Sequence, residues 1–257
     1  MAYSPDYRTY PGAPSATAGA AVLDAGLRAY MLRVYNWMSS GLLLTGIVAY
    51  LIAHTSAMNL FYPLVQTPYG MARTAGPLAM ISIFAPLAFV LVLSLGVNKL
   101  SRSTAQTLYW LFCAAMGASL TNIFLIYTST SIVRVFFITA ATFAAMSLYG
   151  YTTKADLSRW GSFLMMGLIG VILASVVNMF MQSTAMQFFI SVIGVLVFTG
   201  LTAYDTQRIK TTYVQYAYAD GTEQAAKRSV YDALSLYLNF INLFMLLLQI
   251  MGTANRR

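Results

Sequence analysis

The chain has 257 residues, of which 59% are apolar and only 9% charged, with a formal net charge of +8. A soluble domain carries roughly 25% charged residues, so a water-covered surface is excluded and lipid must cover most of this protein. Fifteen Lys and Arg would invite a nucleic-acid reading, but they lie almost wholly between apolar stretches, where membrane topology explains them and no nucleic-acid partner is needed.

Residues 1–24 are rich in Pro, Gly, Ala and Ser and contain no apolar core of the signal-peptide kind, so they read as a disordered tail rather than a cleaved leader. The remaining 25–257 read as one transmembrane domain. Seven apolar segments follow, at about 34–54, 77–98, 104–127, 131–151, 159–181, 185–207 and 230–252. Each reaches the ~20 residues that cross ~30 Å of hydrocarbon as a helix. Backbone polar groups in lipid must be satisfied within the segment, so the class is an all-α integral membrane protein, a seven-helix bundle. The joints between segments three and four and between five and six are so short that those pairs must be antiparallel hairpins.

With the amino terminus inside, the inner segments hold Arg8, Arg28, Arg33, Lys99, Arg102, Lys154, Arg159, Arg208, Lys210, Lys227 and Arg228; the outer side holds Arg73, Arg134, Arg256 and Arg257. The positive-inside rule therefore places the amino terminus in the cytoplasm. The two terminal arginines argue mildly for a re-entrant seventh segment, which would return them to the inside. The longest cytoplasmic loop on this reading is 208–229.

Chemistry-bearing residues are few. Cys113 stands alone in an apolar run, and the single histidine, His54, closes one; neither makes a metal cluster or a disulfide. An ionisable group inside a spanning segment marks function by default. Two acids qualify, Asp205 near the inner end of segment six and Asp232 at the start of segment seven. Asp205 could be an interfacial carboxylate paired with Arg208 three residues on, or a titratable group facing the bundle interior. Segment seven carries Asp232, Ser235, Asn239, Asn242 and Gln249 at spacings of 3, 4, 3 and 7, a polar stripe on one helical face. Lipid does not tolerate such a stripe, so the segment must be surrounded by other helices. The bland account is that these residues serve as hydrogen-bonding glue, each worth roughly 0.6–2 kcal/mol.

Three stretches, RAYMLRVYNWMSSGLLLTGIVAY, LTAYDTQRIK and ALSLYLNFINLFMLLLQIMG, together with SRSTAQTLYWLFCAAMGASLTNIF, resemble the Bax inhibitor-1 (transmembrane Bax inhibitor motif) family over roughly residues 28–252. The 208–229 stretch resembles the proteobacterial branch. The resemblance implies a seven-helix bundle with helix seven at its centre, in the bacterial inner membrane. It implies a pH-sensitive calcium leak channel, or a membrane regulator that binds a membrane-anchored AAA protease. The family attributes calcium activity to two aspartates. Asp205 matches the first; Asn239 stands where the second is expected, and an Asp–Asn pair keeps the hydrogen bond but not the shared proton of a dicarboxylate. Asp232, on the same face seven residues earlier, is either a replacement acid or an exposed helix-start acid favoured by the dipole. A basic latch to the helix-six aspartate falls on Arg102 or Lys99. Calcium takes six to eight oxygen ligands, so Asp205 with the amide oxygens of Asn239 and Asn242 makes at most a weak transit site. No cofactor is implied. An enzyme is disfavoured: no Gly-x-Gly-Asp partner for an aspartyl protease, no histidine beside a nucleophile and no helix-seven lysine for retinal are present. No inverted repeat of the transporter kind is evident.

Overall fold

The computed structural model describes residues 16–67, 70–97, 99–216 and 222–255. In chain order the elements are helix α1 (Ala16–His54), the single turn α2 (Met58–Phe61), strands β1 (Leu64–Thr67) and β2 (Gly70–Arg73), and helices α3 (Pro77–Gly96) and α4 (Arg102–Ser119). A 3₁₀ turn (Leu120–Asn122) and the short α5 (Ile123–Ile126) continue α4. Helices α6 (Ser129–Thr152), α7 (Ser158–Met181), α8 (Thr184–Tyr216) and α9 (Thr222–Met251) complete the chain. Among the described residues, seven helical spans are long and apolar enough to cross a membrane: α1, α3, α4 with its continuation, α6, α7, α8 and α9.

The ends of these helices follow local chemistry. Ser101 accepts from the Thr104 N–H at 3.2 Å and so caps α4, and Thr128 accepts from the Ser131 N–H at 3.3 Å and caps α6. Pro77 opens α3, where its missing N–H costs nothing. The α7–α8 hairpin reverses on Gln182, which adopts the left-handed conformation at φ +50°. Asn178 steadies that reversal, accepting from the Ser183 N–H at 3.1 Å and donating to Gln187 at 3.0 Å.

Three expectations need correction. Helix α1 begins at Ala16, inside the stretch read as a disordered tail; residues 1–15 lie outside the described residues. The supposed 208–229 loop is mostly helix: α8 continues to Tyr216 and α9 starts at Thr222. At 1.5 Å per residue the two helices run ~45–50 Å and overshoot a ~30 Å hydrocarbon layer, which hydropathy does not register because the overshooting turns are polar. Segments three and four, expected as an antiparallel hairpin, follow each other closely but do not pack together: α4 lies against α1, α3 and α9, and α6 against α8 and α9, because the α5 turn carries the chain across to another side of α9. Between α2 and α3 the chain also forms an antiparallel hairpin, Leu64 opposite Arg73, that the apolar pattern did not announce.

The chain after α9 is bound to the joint between α5 and α6. Thr128 N–H donates to Thr253 O at 3.1 Å, Asn255 N–H to Ile126 O at 2.8 Å and Thr253 N–H to the Ser131 hydroxyl at 3.0 Å. Glu223 at the start of α9 meets Arg102 at the start of α4, and the end of α9 meets the α5–α6 joint at the far end of that span, so α9 crosses completely and the re-entrant alternative does not hold.

Helix α9 packs against α1, α4, α6 and α8. Within its most apolar 18-residue window 61% of residues are buried, against 17% for α7, whose Phe163, Met166 and Phe180 point outward. Around α9 a core of Val34, Tyr109, Phe112, Leu236, Tyr237 and Leu248 is fully buried. Polar atoms in it are matched across helices: Thr45 on α1 donates to Cys113 O on α4 at 2.8 Å, which leaves the Tyr237 hydroxyl of α9 to donate to Thr45 at 2.7 Å. Helices α6 and α8 approach until a Cβ on Gly150 would overlap the Ala203 carbonyl oxygen, the close backbone contact that small residues permit in membranes.

Candidate functional site

Asp205 lies eleven residues before the end of α8, 7% exposed, where the helix backbone is fully bonded and only side chains can serve its carboxylate. Two do. The Asn239 side-chain amide on α9 donates to Oδ2 at 2.7 Å, and Arg208 donates to Oδ1 at 3.0 Å. Both carboxylate oxygens are thus engaged, one by a neutral group from the neighbouring helix and one by a cation from the next turn of the same helix. Arg208 also donates to the Ser235 hydroxyl of α9 at 3.2 Å, so the guanidinium joins the two helices while its outer part, 45% exposed, reaches towards solvent.

One turn along α9 lies the second acid. Asp232 accepts from the Tyr30 hydroxyl of α1 at 2.5 Å. It sits ten residues into α9 and is partly buried, so it is not the exposed helix-start acid considered above. Arg208, Arg228 and Asp205 all act on it electrostatically. Tyr30 is itself buried and its ring packs on Tyr213 of α8 with centroids 4.8 Å apart, which fixes the direction of its hydroxyl. The stripe on α9 therefore divides: Asp232 serves α1, Ser235 and Asn239 serve α8, and Gln249 accepts from Gln187 at 2.7 Å and Ser191 at 2.8 Å of α8 at the far end.

The other sequence candidates fall elsewhere. Asn242 donates to its own helix at Leu238 O, 2.8 Å away, and the side chains bonded to Asp205 are Asn239 and Arg208. Arg102 pairs with Glu223 at the start of α9, 3.2 Å away with both side chains exposed; among the described residues no ion pair joins Arg102 or Lys99 to Asp205. Lys99 lies in the α3–α4 turn. The cation on Asp205 is Arg208, because an i, i+3 pair needs no approach of α3 or α4. Tyr30 was missed: a tyrosine just ahead of the first apolar segment carries no signal that its hydroxyl meets an acid 202 positions away. A second seam was missed for the same reason. Thr206 spends its proton on Thr202 O at 2.8 Å, so Ser147 donates to Thr206 at 3.0 Å and Tyr35 to Ser147, linking α1, α6 and α8 beside Asp205.

For a cation the arrangement is sparse. Among the described residues no group of three His, Cys, Asp or Glu is placed to hold a metal. Asn239 turns its amide nitrogen, not its oxygen, to Asp205.

The comparisons with known proteins bear on what such a site belongs to. The family model described as Inhibitor of apoptosis-promoting Bax1 matches residues 27–256. The chain belongs to the Bax inhibitor-1 family. Inner membrane protein YbhL of Escherichia coli K12 is 47% identical over 234 residues, 91% of this chain and 94% of the relative. A Rickettsia prowazekii protein is 46% identical over 234 residues, 91% of this chain and 92% of its own length, and one from Caulobacter vibrioides 46% over 232 residues, 90% of each. The family match begins three residues before Tyr30 and takes in the whole Asp205, Arg208, Asp232 and Asn239 constellation.

Proposed function

We propose that this membrane protein is a gated cation leak of the Bax inhibitor-1 type, with calcium as the transported ion, Asp205 as the group that meets it and senses pH, and Arg208 as the internal cation that closes the site. The observation that carries the reading is a buried carboxylate on α8, held between a neutral amide of the most buried helix and a guanidinium with solvent access. A buried carboxylate inside a membrane bundle is retained against its desolvation cost, and ion or proton movement is the usual reason. Arg208 stands in for a cation: while it pairs with Asp205 the carboxylate attracts nothing else, and protonation of Asp205 or departure of Arg208 changes the field along the helix interface. We place the protein in a bacterial inner membrane with the amino terminus in the cytoplasm, on the strength of the positive-inside distribution and the name of the Escherichia coli relative.

The test is calcium flux into proteoliposomes carrying an internal indicator, from pH 6 to 8, for wild type, Asp205→Ala, Arg208→Gln and Asn239→Asp. The leak requires flux above empty liposomes that depends on pH, is abolished or loses its pH dependence in Asp205→Ala, and rises in Arg208→Gln. Absence of wild-type flux at every pH overturns it.

A second reading is favoured by the engagement of both Asp205 oxygens: bonded to Asn239 and Arg208, the constellation also serves as an interhelical clamp in a non-conducting regulator that binds other membrane proteins, a membrane-anchored AAA protease among them. Absence of flux together with retention of a protease partner in detergent would establish it.

A further inference from the structure

Helices α1 and α6 both pack on α9 but scarcely on each other. The gap is a cleft of about 1110 Å³, larger than the ~300–1,000 Å³ of ordinary small-molecule sites. Its floor is Phe143 and Phe240, and its walls are apolar residues such as Leu43 and Leu148, 65% and 63% exposed. Gly46 opens onto it with no atom within 4 Å of where a Cβ would stand. These walls belong to two spanning helices, so the cleft lies in the hydrocarbon layer and its occupant must be apolar over most of its length.

One end differs. Arg28 lines it and is exposed. The ion pairs among the described residues are Arg102–Glu223 and Arg208–Asp205, so Asp24, one turn before Arg28, forms no ion pair that would hold the guanidinium. Tyr151 lines the same end, and the Lys210 ammonium lies 5.2 Å from its ring centroid while donating to its carbonyl at 2.8 Å. Along α1, Arg28 to Leu51 covers ~35 Å, close to the ~30 Å hydrocarbon thickness plus a headgroup layer. An acyl chain from the leaflet on the Arg28 side would end roughly mid-cleft, near Leu42 to Gly46.

We propose that the α1–α6 cleft binds one anionic glycerophospholipid, its acyl chain along the apolar walls and its phosphate at Arg28, with Lys210 adding positive potential. Apolar length selects an acyl chain, and two cations at one end select a negative headgroup. The bound lipid would then touch Tyr35 and Ser147, whose hydroxyls lead to Thr206 beside Asp205. The site stands whether or not the protein conducts ions.

The test is native mass spectrometry of the full chain extracted in mild detergent from vesicles of equal phosphatidylglycerol and phosphatidylcholine with identical chains. Wild type should retain one lipid, with phosphatidylglycerol favoured about five-fold or more, the factor expected for one cation near an anionic headgroup. Arg28→Gln should bring the ratio towards parity. Gly46→Phe with Ala144→Phe, which fills the cleft, should lose the retained lipid. As a check that does not depend on the filled variant folding, Leu43→Trp should be quenched more by brominated phosphatidylglycerol than by the brominated phosphatidylcholine, and equally by both when Arg28→Gln is added. No retained lipid in wild type, a ratio unchanged by Arg28→Gln, or a second copy of the chain cross-linked through the cleft would overturn the proposal.

Discussion

Asn239 on α9 donates its amide to Asp205 on α8 across 2.7 Å, so the position at which a second carboxylate would face the first is held by a neutral group that can only donate towards it. Asn239→Asp would replace that bond with a pair of like charges unless one proton is shared between them. The variant should be less stable than wild type at pH 8, by about 1–3 kcal/mol. The gap should narrow towards pH 6, as the shared proton restores a hydrogen bond. Thermal unfolding in detergent at the two pH values checks this, and an equal deficit at both would count against a dicarboxylate in contact.

Tyr30 and Asp232 tie α1 to α9. Tyr30→Phe leaves a partly buried carboxylate without its hydroxyl donor and should cost about 1.5–3 kcal/mol, the range for hydrogen bonds to charged groups. Asp232→Asn keeps an acceptor and removes the charge, so Tyr30→Phe should cost less in that background. A double-mutant cycle on unfolding midpoints measures the difference; additivity would show that the two do not interact.

Gly150 lets α6 meet the backbone of α8 at Ala203. Gly150→Ala raises helix propensity but forces the helices apart where Ser147 and Thr206 must also meet. The expected result is a net loss of about 1–3 kcal/mol, as for overpacking in a tight interface. Exposed Gly46, by contrast, has open space at its Cβ and should accept Ala with no loss or with a gain of up to about 1 kcal/mol from helix propensity. Comparing the two midpoints separates the steric from the propensity effect.

Asp156 lies in the short loop between α6 and α7, fully exposed, and accepts from the Ser158 N–H at 2.9 Å. That backbone hydrogen bond, with the Ser158 side chain and Arg159 adding to it, holds its carboxyl below the usual carboxylate range. A carboxyl whose affinity for protons falls on folding stabilises above its ordinary value of ~3.9 and ceases to do so as pH falls through its lowered one. Asp156→Ala should therefore unfold earlier than wild type at pH 7, with the two melting temperatures converging as the pH falls below the usual carboxylate range. A difference that persists in acid would mean that the charge is not what matters there.

Much of this protein was legible as a line of residues. Seven spans, the tight α7–α8 hairpin and a polar face on α9 all follow from local properties. Hydropathy over ~20 residues reports whether a segment can sit in lipid, and the 3.6-residue period reports which side chains share a face. The i, i+3 pairing of Arg208 with Asp205 was readable for the same reason. The helical extensions of α8 and α9 were not, because a polar helix outside the bilayer looks like a loop to a hydropathy window.

The partners of the polar face could only come from tertiary structure. The spacing shows that Asp232, Ser235, Asn239 and Gln249 point one way; it does not show that α1 lies against Asp232 and α8 against Asn239. Those assignments depend on the rotation and depth at which helices meet, and these are set by the packing of small residues such as Gly150 and by cores such as that around Tyr237. The cleft between α1 and α6 is likewise invisible in sequence, since its walls read as ordinary lipid-facing residues until the fold leaves them apart. Composition determined that the chain lives in a membrane; packing decided which of its few charges meet.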